Sequence, residues 1–235
     1  MKNCSIIYLQ LYVCVAVALC CFFRSFCATG KAPSPSDYIS YARATLVQNA
    51  SLPIKQALFP SNEFKKILLG LIHAETKRIC LAIYMLTEHE IAKALADAHK
   101  RGVQVEIIAD HGCAFTGWSK IKYLVNQGVT VYVWPPSKVA DKAIMHNKFI
   151  LFWSSLDGKA LLWSGSYNFT WSASFKNREN VLVLEDAAIF QCYTDQFESL
   201  KNQAELLDKL AYGKLKRSPQ QQMDTCCTYD AFCAA

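Results

Sequence analysis

The run Phe149-Ile150-Leu151-Phe152-Trp153 carries no polar side chain. Successive strand residues point to opposite faces, so this run reads as a central strand of a sheet covered on both sides. Its surroundings agree. Phe64, Ile67, Leu68 and Leu71 recur at helical spacing, with Ser61 or Asn62 placed to cap the helix. A strand over 78–84 follows, then a helix opened by a Thr87/Glu90 capping box, lined by Ile91, Leu95 and Ala98, and closed by Gly102. A strand over 103–109, a helix through Ile121 and Leu124 that ends near Gly128, and a strand over 129–133 come next. Pro135-Pro136 ends that strand, and 137–142 is a polar loop. A last helix runs from Ala187 to about Leu210, with Phe190, Tyr193, Phe197 and Leu200 on one face. Strands alternating with helices predict an α/β domain whose mixed, mostly parallel sheet is covered by helices on both faces.

Two short motifs flank the central strand. His146 and Lys148 precede it and are two residues apart, so on extended backbone both side chains leave the same face. A second apolar run, Ala160-Leu161-Leu162-Trp163, delivers Gly165-Ser166-Tyr167-Asn168 into a turn, where a glycine lets the backbone approach an anion closely. Asn177-Arg178-Glu179-Asn180 then precedes another apolar strand. An isolated HxK tripeptide carries little information. The order HxK, strand, GSxN, strand carries much more.

These motifs resemble the signature of the phospholipase D superfamily: HxK, four residues, Asp, about six residues, then GSxN. The single-motif branch, with the Nuc-type endonucleases and mitochondrial cardiolipin hydrolases, is the most similar. The resemblance runs from about Leu58 to Leu206. One position departs from it, because Trp153 stands where the signature has its Asp. Asp157 is the nearest acid, but Asp157-Gly158 is also a strong turn signal, so Asp157 is either a displaced motif acid or a turn residue.

The resemblance implies a metal-independent reaction with no cofactor. His146 would attack phosphorus and form a phosphohistidine. A second histidine would protonate the leaving oxygen and then activate water. Lys148, Ser166 and Asn168 would hold the phosphate oxygens, and Glu179 would accept the other ring N–H of His146. The chain has a single copy of the motif. His73, His89 and His99 lie in or beside helical patterns, and His111 opens a loop that could face the same cleft. A two-histidine mechanism with one motif therefore calls for a homodimer whose copies share one active site.

The remaining segments concern location. Ile6 to Phe23 is an 18-residue apolar run broken only by Gln10. As a helix it would span roughly 27 Å, so it is either a signal peptide or a short membrane anchor. The expected organisation is a leader over 1–28, a Ser- and Pro-containing linker over 29–57, the phosphodiesterase domain over 58–212 and a polar Cys-containing tail over 213–235. Of 11 cysteines, five belong to the leader, Cys80 and Cys192 sit in apolar patterns as core residues, and Cys226, Cys227 and Cys233 lie in the tail. Zinc-ligand spacing is lacking, so no metal site is expected.

The net charge of +6 suits any phosphate-bearing partner and does not separate lipid from nucleic acid. The leader and Trp118, Trp134, Trp153, Trp163 and Trp171 favour a phospholipid substrate and an exported or membrane-associated protein. Cleavage of DNA or RNA is the alternative. A phosphate-binding envelope protein that keeps the fold without activity is a third reading, argued from the displaced Asp.

Overall fold

The computed structural model describes residues 32–47, 52–59, 61–135 and 143–208. In chain order the elements are α1 (Pro35–Leu46), β1 (Lys55–Leu58), α2 (Ser61–Ala74), β2 (Arg78–Ile83), α3 (His89–Lys100), β3 (Gln104–Asp110), α4 (His111–Ala114), α5 (Ile121–Asn126), β4 (Thr130–Trp134), β5 (Lys148–Phe152), β6 (Leu161–Gly165), α6 (Trp171–Phe175), β7 (Val181–Leu184), α7 (Ala187–Gln203) and β8 (Glu205–Leu206). The leader, the loop over 137–142, the C-terminal tail and their cysteines lie outside the described residues. Within those residues, no helix is long and apolar enough to cross a membrane.

The strands form one eight-stranded sheet in the order β1-β7-β6-β5-β2-β3-β4-β8. The expected mixed sheet is present, but its balance is reversed. Only β2–β3 and β3–β4 pair in parallel, and the other five pairings are antiparallel. The reason is connection length. Parallel neighbours need a crossover, which α3 and α5 supply, whereas β5 and β6 are joined directly by a hairpin connection over 153–160.

Alternation along the strands divides the core into two layers. Ile79, Leu81 and Ile83 of β2, with Ile150 and Phe152 of β5, face a large cluster that includes buried residues of α1, α2, α3, α5 and α6. Cys80, Ala82, Phe149 and Leu151 face the other way and are covered by Phe197 and Leu200 of α7. Burying a Phe or Leu side chain contributes about 1.5–3 kcal/mol, so an apolar stripe on α7 suffices to hold it. Under α7 the buried Glu106 accepts hydrogen bonds from Arg78 (3.0 and 2.7 Å), Gln104 (3.0 Å) and Lys201 (2.5 Å). These bonds and cation contacts hold its carboxyl below the usual range despite the opposing effect of burial.

Several local expectations are corrected. The stretch read as linker contains α1, started by a Ser34/Asp37 capping box and Pro35. It packs so closely on α2 that a Cβ at Gly70 would lie 2.3 Å from the Tyr38 carbonyl oxygen. The Thr87/Glu90 capping box does not form. Glu88 caps α3 without a side-chain bond, because Thr87 and Glu88 both give their N–H groups to Phe169 O (2.9 Å each) and Glu90 pairs with Lys65 at 2.6 Å. The last helix stops at Gln203, where the chain turns to add β8 to the edge of β4. Cys192 is exposed, whereas Cys80 is buried and its thiol is pushed up to about 12 by that burial.

Candidate active site

Antiparallel pairing puts the start of β5 beside the end of β6. Phe149 is opposite Ser164, and Gly165 in turn pairs with Val181 at the start of β7. Lys148 is also opposite Ile83, the last residue of β2, and the parallel β3 ends at Asp110. One end of the sheet therefore gathers residues from five strands: Tyr84 and Asp110 after β2 and at the end of β3, His146 and Lys148 before and on β5, Ser166 and Asn168 after β6, and Glu179 before β7.

The segment carrying His146 is held residue by residue. Met145 donates its N–H to Asp110 Oδ2 (3.1 Å), His146 O accepts from Lys148 Nζ (2.8 Å), and Asn147 O accepts from Tyr84 N (2.9 Å). The imidazole is exposed and meets the Tyr84 ring edge-on, at 4.5 Å between centroids. Lys148 Nζ lies 5.3 Å from that same ring, so His146 and Lys148 both pack against Tyr84. Partial burial lowers the pKa of His146 and Lys148 lowers it further, against the opposing charge of Asp110. The lowered pKa favours the neutral form of the ring, the form that a nucleophile requires. Burial also lowers the Lys148 pKa, with Glu179 and Cys113 acting the other way.

The GSxN turn is built on Gly165. A Cβ there would stand 2.1 Å from Asn180 O, so only glycine allows the two segments to meet. Ser166 N donates to Asn180 O, and Asn180 N donates to Ser166 Oγ, both at 3.0 Å. Tyr167 turns inward, buried and bonded to Ser174 Oγ at 2.6 Å, while Ser166 beside it is exposed and Asn168 half-buried. Asn168 Oδ1 is buried and accepts no hydrogen bond among the described residues.

Two expected roles are altered. Glu179 accepts hydrogen bonds from Ser166 Oγ and from Asn177 Nδ2 (3.1 Å), and no bond joins it to His146 among the described residues. Within the chain its carboxylate thus orders the GSxN turn and faces Lys148. Asp157 is not a displaced motif acid. It lies in the hairpin turn at the far end of β5, a strand's length of roughly 17 Å away. There it adopts φ 56° and pairs with Arg43 at 2.7 Å. Trp153, in the motif's acidic position, is sandwiched between Arg78 (4.7 Å) and Phe190 (5.0 Å). The acid that anchors this end of β5 is Glu75, 1% exposed, which accepts the N–H groups of Ser154, Thr76, Lys77 and Arg78.

The sequence reading overlooked Asp110 and Tyr84. Their signal was position, at the carboxyl ends of neighbouring parallel strands, where open α/β sheets place their sites. His111, beside Asp110, is half-buried against Phe115, and no hydrogen bond or ring contact joins it to His146 among the described residues. Among the described residues no three His, Cys, Asp or Glu side chains converge as ligands for a metal ion.

Residues 68–201 match the family described as cardiolipin synthase, PLD-like domain. The chain is 31% identical over 163 residues to the mitochondrial cardiolipin hydrolase of Xenopus tropicalis, which covers 68% of this chain and 72% of that protein. It is 33% identical over 142 residues to a phospholipase D of Rickettsia bellii, covering 60% and 66% respectively. The crystal structure of Nuc, a phospholipase D family member from Salmonella typhimurium, shares the fold. It superposes with a TM-score of 0.57 at 27% identity over 67% of this chain and all of that one.

Proposed function

This chain belongs to the phospholipase D superfamily and is a phosphodiester hydrolase, and from that premise we propose that it cleaves phospholipid through a phosphohistidine on His146. The observation that carries the mechanism is the exposed imidazole held with Lys148 against the Tyr84 ring, at the end of the sheet where the Ser166 and Asn168 turn also lies. His146 nitrogen bonds to phosphorus as the P–O bond to the leaving group breaks. A proton from a second histidine neutralises the departing alkoxide. Water, deprotonated by that same histidine, then breaks the P–N bond and restores His146. Lys148, Ser166 and Asn168 hold the non-bridging oxygens, where negative charge develops. The second histidine is the His146 of another copy of this chain, in a homodimer that shares the site.

Lipid is favoured by the surroundings of the site. Trp171 and Phe175 follow the GSxN turn and are 55% and 50% exposed, and Trp118 is 74% exposed on a loop tied to Leu86 through Lys120 N. Exposed aromatic rings suit the interface of a bilayer. Together with the apolar leader, they make an exported or membrane-anchored enzyme part of the same proposal. Nucleic acid is the second reading. Lys176 lies 5.3 Å over Trp171 and Lys65 lies 5.3 Å over Phe175, a pairing of cation and ring that also suits stacked bases and phosphates. The inactive-protein reading loses its main support, because Glu75 supplies the anchoring acid.

The deciding experiment presents a fluorescent phospholipid and a single-stranded DNA, with EDTA, to the protein and to its His146→Ala form. Lipid cleavage that is lost in the variant is the expected result. Cleavage of DNA alone would replace the lipid reading, and turnover that EDTA abolishes and added metal restores would overturn the mechanism.

A further inference from the structure

We propose that Asp110 is a positioning residue for His146, anchoring the segment that carries the imidazole and setting a negative charge beside the ring; the proposal rests on the reading of His146 as nucleophile. Asp110 is 5% exposed and ends β3, two strands away from β5 in the sheet. Its Oδ1 accepts Cys113 N–H at 3.1 Å, the ordinary duty of a residue that caps α4. Its Oδ2 does something a cap does not require: it crosses to Met145 N–H at 3.1 Å, 35 residues along the chain and next to His146. A buried carboxylate costs stability unless its oxygens are satisfied, and here both are satisfied by backbone N–H groups of the site's own loops.

The geometry turns this into a clamp. Met145 is 2% exposed and locked in the core under α7, so the Asp110 bond fixes the backbone from which the ring leaves. With both oxygens occupied, Asp110 acts on the ring through space. The other groups facing His146 are the Tyr84 ring after β2 and the Lys148 ammonium on β5, while Glu179, before β7, faces Lys148. Of these, Asp110 is the carboxylate that favours the protonated ring, opposing burial and Lys148. It thereby moderates the drop in His146 basicity and stabilises the positive charge that the imidazole acquires on bonding to phosphorus.

The test uses the full-length chain with bis(4-nitrophenyl) phosphate, a soluble diester that is neither lipid nor nucleic acid, together with NMR titration of the His146 ring. In Asp110→Asn the charge is lost, so the ring should titrate at lower pH, and kcat should fall by about tenfold or more with KM nearly unchanged. In Asp110→Glu the charge remains but the Met145 anchor is displaced, so the titration should stay close to wild type while kcat falls. This variant decides the matter should Asp110→Asn fail to fold. A folded Asp110→Asn with an unmoved His146 titration, or with kcat within about twofold of wild type, overturns the proposal. Equal turnover by wild type and His146→Ala would instead overturn the nucleophile reading, and the titration would still decide whether Asp110 acts on the ring.

Discussion

Gly165 and Asn180 meet so closely that a Cβ on the glycine would lie 2.1 Å from the asparagine carbonyl oxygen. This approach joins the GSxN turn to the strand that follows Glu179, and the paired Ser166–Asn180 hydrogen bonds depend on it. In Gly165→Ala the two segments must part, shifting Ser166 and Asn168 together. Activity should fall at least about a hundredfold, since a 1 Å misplacement already costs that much. A lowered melting temperature with binding of phosphate ions weakened in parallel would confirm the cause; full activity in the alanine form would refute it.

The acid limb of the rate profile should reflect His146. Its pKa is lowered, so the neutral nucleophile persists below pH 6.5 and the rate should decline only at lower pH, as the ring takes up a proton. Lys148→Met removes a charge that lowers this pKa, so the His146 titration should move to higher pH in that variant. Ring titration by NMR checks the sign, and a downward movement would contradict the electrostatic account.

Asp157→Asn should leave turnover at wild-type level. Its bond to Arg43 is an exposed pair, with side chains 42% and 52% accessible, worth at most about 1 kcal/mol, and asparagine tolerates the positive φ. Loss of activity in this variant would restore Asp157 as a motif acid despite its distance from His146.

Glu106→Gln should destabilise the fold without changing the chemistry. It removes one of the two carboxylates that Arg78 and Lys201 share beneath α7, Glu198 being the other, and losing these charge-assisted hydrogen bonds costs about 1.5–3 kcal/mol. The folded-state pKa of Glu106 is depressed, so its contribution is present above the unfolded value and is lost as pH falls through the folded one. The difference in melting temperature between wild type and the variant should therefore shrink in acid. A constant difference across pH would argue that packing, not charge, is involved.

Mixing His146→Ala chains with Lys148→Ala chains tests the shared site. If each centre needs both histidines, the mixed population stays well below the wild-type rate. Wild-type turnover from that mixture would exclude the shared-site dimer.

The separation between what was legible and what was not follows the range of the interactions. The continuous apolar runs 149–153 and 160–163 are local signals, and they placed the central strands and the covered sheet correctly. Gly102 and Gly128, both with positive φ, closed their helices as their spacing suggested. The direction of the sheet was less accessible, because it depends on which strand β5 joins, and a hairpin and a helical crossover look alike until their lengths are known. The linker reading failed at α1 because a Ser- and Pro-rich composition suggests a loop even where Ser34, Pro35 and Asp37 form a helix start.

For the site, the chain's own order brought forward the candidate groups: His146, Lys148, Ser166 and Asn168 lie in short-range motifs whose chemistry is contained in their residue types. Tertiary structure alone decided which carboxylate serves which partner. Asp110 reaches Met145 across 35 residues, Glu75 reaches Ser154 across 79, Glu179 turns to Ser166, and Asp157 goes to Arg43 at the opposite end of the sheet. A carboxylate's role depends on which N–H or cation it meets in three dimensions and on how little water remains there, and neither is written in sequence spacing.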